Sequence, residues 1–216
     1  MPPLLYYITD RRQFPGDSRE QERRLLAKIA ECAAAGVDYV QLREKDLGAR
    51  ALEELANKAM AGLRGSPTKL LINSRTDVAL ACGAHGIHLP SHDLPASEAR
   101  VIFTKASVAA PMIGVSVHSE ADVAYAESHG ADLVVFGPVF EKEGARNPEG
   151  LNQLRQICQH RHASASAMPV LALGGITLEN ALLCLQAGAA GIAGIRLFQE
   201  NVVNKIVERL RESHSS

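Results

Sequence analysis

Four times along the chain a helical segment closes on a glycine that is followed by a small apolar residue and then a strand. The copies are Ala35-Gly36-Val37-Asp38, Cys82-Gly83-Ala84-His85, His129-Gly130-Ala131-Asp132 and Ala187-Gly188-Ala189-Ala190. The first three lie about 47 residues apart, close to the length of two strand–helix units of a repeating barrel. Apolar runs at 4–8, 37–42, 69–72, 85–89, 113–117, 132–136, 169–173 and 190–195 read as eight strands. Helical spacing falls between them: from a cap at Asp17-Ser18 to Gly36, then 49–63, 76–82, 97–105, 119–128, a segment running to about 160, and 177–187. A closing helix reaches 211. The strand runs are rich in Val, Ile and Leu with little alternation, as in parallel strands buried on both faces. An open doubly wound sheet is the competing architecture, but it does not require eight evenly spaced units. No GxGxxG follows the first strand either. The expected fold is α/β, a single (β/α)8 TIM barrel over residues 1–216.

With 216 residues, 46% of them hydrophobic, the chain has apolar mass for a sizeable core. A formal charge of −1 gives no electrostatic case for nucleic acid or for an anionic membrane surface. No run of about 18 apolar residues occurs, so no membrane span is expected. The first residues lack a basic n-region and a cleavage site, and the expected location is cytoplasmic. Cys32, Cys82, Cys158 and Cys184 are isolated from one another, without the close pairs of zinc or redox motifs. Reduced, buried thiols are expected.

In a barrel, chemistry belongs to the C-terminal ends of the strands and the loops after them. The polar residues there are Thr9 and Asp10; Gln41, Arg43 and Lys45; Asn73 and Arg75; His88, Ser91 and Asp93; and Ser116 and His118. Gly174-Gly175 and Gly194-Ile195-Arg196 follow the last two strands, where barrels commonly seat a phosphate on backbone N–H groups. Arg196 adds a guanidinium able to make bidentate contacts. Tight βα turns are the plainer reason for those glycines. Gln41, Arg43 and Lys45 share one face by period-two spacing and suit an anionic substrate. A surface segment salt-bridged through Glu44 and Asp46 is the alternative. Ser116 and His118 alternate with Val115 and Val117 just before a helix start capped by Ser119 and Asp122. That places an imidazole, which titrates near neutrality, where an acid–base group would sit, unless it is simply a polar turn residue.

Tyr7-Ile8-Thr9-Asp10, Gln41-Leu42-Arg43-Glu44-Lys45, Ile72-Asn73, His88-Leu89, Gly114-Val115-Ser116, Phe136-Gly137-Pro138-Val139-Phe140 and Leu173-Gly174-Gly175-Ile176 occur in this order. Each is weak alone; together, across nearly the whole chain, they resemble the superfamily of thiamine phosphate synthase and thiazole tautomerase. The resemblance implies a (β/α)8 barrel that binds a small-molecule thiazole phosphate at its last two strands, and a homodimer. For the synthase it implies Mg²⁺ and a metal-binding Asp93. The synthase pattern places an Asp after Asn73, where this chain has Ser74. It also places threonines and a lysine after the sixth strand, where this chain reads Phe140-Glu141-Lys142-Glu143-Gly144-Ala145, and a serine at Arg196. The tautomerase needs no metal, and its catalytic histidine falls on His118. The expected activity is therefore a tautomerase-like isomerase with His118 as proton shuttle and no cofactor. The substrate contacts would be Gln41, Arg43, Lys45, Asn73, Ser116, Gly174, Gly175, Gly194, Ile195 and Arg196. The alternatives are a Mg²⁺-dependent thiamine phosphate synthase and a ligand-binding barrel without catalysis.

Overall fold

The computed structural model describes residues 2–140, 148–163 and 168–212. Its strands are β1 (Leu4–Ile8), β2 (Tyr39–Leu42), β3 (Lys69–Asn73), β4 (Gly86–Leu89), β5 (Met112–Val117), β6 (Leu133–Phe136), β7 (Val170–Ala172) and β8 (Gly191–Gly194). Each pairs in parallel with the next, and β8 returns to β1 through Leu4↔Gly191 to Tyr7↔Gly194, closing the barrel. The helices are α1 (Ser18–Ala34), α2 (Ala49–Gly62), α3 (Thr76–Cys82), α4 (Ala96–Lys105), α5 (Glu120–Ser128), α6 (Pro148–Ala163), α7 (Ala181–Gln186), α8 (Arg196–Gln199) and α9 (Val203–Glu212). The expected (β/α)8 barrel is the observed fold.

Both faces of the strands are buried, which is why their sequences barely alternate. Tyr6, Ile8, Leu71, Leu133, Val135, Leu171 and Ala193 fill the barrel interior. Leu5, Tyr7, Val40, Leu42, Leu70, Ile72, Ile87 and Leu89 face outward into a second, larger cluster shared with the helices. At the tightest strand approach, a Cβ on Gly86 would lie 1.8 Å from the Met112 carbonyl oxygen, so only glycine lets β4 and β5 meet there.

Two helices differ from the sequence expectation, each because side chains take the backbone groups a helix would use. The helix expected from Thr177 begins only at Ala181. Asn180 Oδ1 accepts the Thr177 N–H at 2.8 Å and Asn180 Nδ2 donates to the Gly175 carbonyl at 3.0 Å, holding a turn instead. The closing helix is two. Asn201 Nδ2 donates to the Leu197 carbonyl, and Glu31 on α1 accepts the Val203 N–H at 2.8 Å, capping α9 as a separate helix. A 3-10 turn, Arg11–Gln13, also follows β1 without having been foreseen. All four cysteines are free and none is exposed, and burial pushes the Cys32, Cys158 and Cys184 thiols up, as expected of inert thiols. Among the described residues no helix is long and apolar enough to cross a membrane.

Candidate active site

The ends of β2 and β3 supply one wall of the barrel mouth. Gln41 is buried; its Nε2 donates to Asn73 Oδ1 at 2.8 Å, and Asn73 Nδ2 donates to Ser74 Oγ at 3.2 Å. Gln41 Oε1 is buried with no partner among the described residues, an acceptor waiting for a ligand's donor. The salt-bridged alternative for the next residues fails on geometry. Period two turns Glu44 away from Arg43, toward the turn after β1. There Glu44 accepts from Thr9 Oγ1 at 2.7 Å, from the Arg11 N–H at 3.1 Å and from Arg11 Nη1 at 3.0 Å, while Arg11 also grips Asp46 at 2.7 Å. Burial raises the Glu44 carboxyl against these bonds, whereas Arg11 lowers that of Asp46. Arg43, half-buried, and Lys45, exposed, make no ion pair among the described residues. The Arg43 backbone N–H is tied to Thr9 Oγ1 at 2.9 Å, so the same network that occupies Glu44 also fixes Arg43.

Sequence reasoning placed His88 at a strand end without giving it a role. It is fully inside the barrel, with Nδ1 2.9 Å from Tyr6 Oη and Nε2 2.9 Å from Ser116 Oγ. Burial, helped by the Arg43 charge, pushes its pKa down to about 3, so the ring is neutral. The unfolded chain takes up this proton below about pH 6.5, and the folded protein resists it. Stability is therefore complete above that pH and falls as the pH drops, by about 1.4 kcal/mol per pH unit for one proton. In urea titrations between pH 6 and 4, His88→Asn should show a slope shallower than wild type by about one proton. Parallel slopes would assign the acid lability to other groups.

Ser116 and His118 part company. Ser116 joins His88 inside, while His118 is exposed at the rim, its backbone N–H bonded to Asp122 Oδ2 at 2.9 Å. Its Nδ1 lies 2.6 Å from the Gly137 carbonyl oxygen, which can only accept, so Nδ1 carries the proton. Ser119 and Asp122 form the capping box read from the sequence.

The ends of β7 and β8 line a cavity of about 520 Å³ with Gly174, Gly175, Gly194, Ile195 and Arg196, joined by Gln13 from the 3-10 turn. The N–H groups of Gly174, Gly175 and Ile195 donate to no acceptor among the described residues. Gly174 has φ 101°, and a Cβ there would lie 2.6 Å from Pro138 Cα, so the chain passes only as glycine. Free amides, glycine backbone and a guanidinium are groups that can hold an anion. Gln13 was not anticipated, because nothing in its local sequence marks it. Its Nε2 is held by Asp10 Oδ2 at 2.8 Å.

Asp93 stands exposed after β4, its Oδ1 accepting the Leu94 N–H at 2.8 Å and its Oδ2 bonded to no described residue. Among the described residues no three acidic, histidine or cysteine side chains converge on a metal site. This donor set does not make a protein cage; Asp93 is a single carboxylate that could hold a divalent cation together with a phosphorylated ligand. The segment Glu141 to Ala145, part of the case for a tautomerase, lies outside the described residues.

The profile of the thiamine monophosphate synthase family matches residues 5–198. A Geobacter sulfurreducens protein provisionally named a thiamine-phosphate synthase is 44% identical, over 88% of this chain and 83% of its own. The thiamine-phosphate synthase of Syntrophomonas wolfei is 37% identical, over 88% and 86%. The solved thiamine phosphate pyrophosphorylase of Pyrococcus furiosus superposes with a TM-score of 0.77 at 31% identity, covering 97% of this chain and 94% of that one. These matches overturn the tautomerase-like isomerase expected from Ser74, the loop after Phe140 and Arg196. The physical reason for the error is that three local departures were weighed above the retained Gln41, Arg43, Lys45, Asn73 and Asp93. His118, bonded to a backbone carbonyl at the rim, sits apart from the buried polar set. The chain belongs to the thiamine monophosphate synthase family.

Proposed function

We propose that this protein is a thiamine-phosphate synthase, a transferase that couples hydroxymethylpyrimidine pyrophosphate to thiazole phosphate and releases pyrophosphate. One observation carries this reading. Glu44 is committed to Arg11, which leaves Arg43 and Lys45 without an acidic partner among the described residues just after Gln41, a second anion seat in addition to the cavity at β7 and β8. Two such seats suit two phosphorylated substrates held at once.

In the coupling, the thiazole ring nitrogen forms a bond to the pyrimidine's methylene carbon as the carbon–oxygen bond to diphosphate breaks. The electron pair departs with pyrophosphate. Gly174, Gly175, Gly194, Ile195 and Arg196 hold the thiazole phosphate. Gln41 and Asn73, with Ser116, face the pyrimidine diphosphate, and holding both partners removes most of the entropic cost of their meeting. Arg43 and Lys45 stabilise the charge that grows on the departing oxygen. Magnesium, when bound, would supply further neutralisation of the diphosphate, with Asp93 as its protein ligand. His118 holds the start of the loop after β6 through Gly137 and moves no proton.

Pyrophosphate release provides the test. It should require both substrates together, and release from the pyrimidine diphosphate alone at the same rate would mean hydrolysis rather than transfer.

A further inference from the structure

We infer that Tyr6 fixes the tautomer of His88 and thereby leaves the Ser116 hydroxyl proton to be donated to the ligand. The synthase reading is needed only to name that ligand. Tyr6 on β1, His88 on β4 and Ser116 on β5 meet inside the barrel, Oη to Nδ1 at 2.9 Å and Nε2 to Oγ at 2.9 Å. Tyr6 is fully buried, and His88 Nδ1 is the only partner of its hydroxyl among the described residues. Were Nδ1 to carry the proton, the phenol O–H would be left in the core without an acceptor. The phenol therefore donates to Nδ1, and the neutral ring keeps its single proton on Nε2 and donates it to Ser116 Oγ. A Cβ on Gly114 would lie 2.8 Å from Nδ1, so glycine at that position gives the ring its place.

Ser116 Oγ thus has an acceptor site filled from behind, and no described residue accepts its own proton. Half-buried at the mouth, the hydroxyl has its proton left for a ligand acceptor, a ring nitrogen or a diphosphate oxygen. It is a binding residue, and Tyr6 and His88 are positioning residues acting through it.

The test uses the full chain labelled with ¹⁵N-histidine, with the His88 resonances identified by their loss in His88→Gln. Long-range ¹H–¹⁵N spectra should show Nδ1 unprotonated and Nε2 protonated from pH 5 to 8. A protonated Nδ1 overturns the proposal. Binding of inorganic pyrophosphate and of the unphosphorylated hydroxymethylpyrimidine is then measured separately. Ser116→Ala should weaken one of them about tenfold, which tells the diphosphate oxygen from the ring nitrogen, and no change in either overturns the proposal. Tyr6→Phe should weaken the same probe in the wild-type background and have no further effect in Ser116→Ala. Equal effects in both backgrounds would reduce Tyr6 to packing and overturn it as well. None of these readouts needs turnover. A correct tautomer with no coupling product would count against the synthase and leave the relay standing.

Discussion

Arg11→Ala is expected to cost about 3–5 kcal/mol of stability at pH 8, as for removal of one partner of a buried ion pair. The reason is what stays behind. The Glu44 side chain is 1% exposed, and without Arg11 it keeps only Thr9 Oγ1 and one backbone N–H as partners. Burial already raises its carboxyl in the wild type, and in the variant the Arg11 charge and side-chain hydrogen bond no longer oppose that rise. The folded variant therefore takes up a proton on Glu44 at a pH where the unfolded chain does not. Its deficit is full above the raised folded pKa and shrinks as the pH falls through it. Urea unfolding at pH 8 and pH 5 should show the gap to wild type narrowing at the lower pH. A wild-type-like midpoint at pH 8 would mean that Arg11 and Glu44 do not form the buried pair. Activity should fall too, because Thr9 links this pair to the Arg43 backbone.

Arg43→Ala is expected to lower kcat/KM for coupling by roughly 10²–10³, the scale of losing one preorganised charge stabiliser at the reacting centre. Stability should hardly change, since Arg43 makes no ion pair among the described residues. Arg43→Lys should recover only part of the loss, because an ammonium cannot reproduce a planar bidentate contact with a phosphate. Lys45→Ala should cost less, as its side chain is exposed and screened by salt. Steady-state kinetics with the pyrimidine diphosphate as varied substrate separates these variants. Activity of Arg43→Ala within threefold of wild type would remove Arg43 from the leaving-group site.

The barrel was legible because its determinants are local and repeated. Helix-ending glycines at Gly36, Gly83 and Gly130 keep a regular interval, and strands buried on both faces announce themselves as unbroken apolar runs. The glycine-lined cavity at β7 and β8 was legible for a similar reason, since glycines after two successive strands mark places where only backbone fits. Whether Glu44 pairs with Arg43 and Lys45 stayed open in the sequence because it stands between them, whereas strand geometry puts neighbours on opposite sides. Applied one residue further, the same period would have excluded the local salt bridge. Tyr6, His88 and Ser116 come from three strands, and their contact exists only once the sheet curves shut, so no spacing along the chain encodes it. Arg11 and Gln13 reach the site on an unforeseen turn. The reaction was the least legible feature, because Ser74 is a single departure whose weight depends on partners that local sequence does not show.

On the proposed reading, two anionic substrates meet at this mouth and are joined. The most direct measurement is mass-spectrometric identification of the product formed when purified protein, hydroxymethylpyrimidine pyrophosphate and thiazole phosphate are combined with and without Mg²⁺. Thiamine phosphate should appear in equimolar amount with pyrophosphate, only when both substrates are present, and far faster with the metal. Absence of thiamine phosphate at saturating substrates and Mg²⁺, from protein that still binds thiazole phosphate, would contradict the assignment.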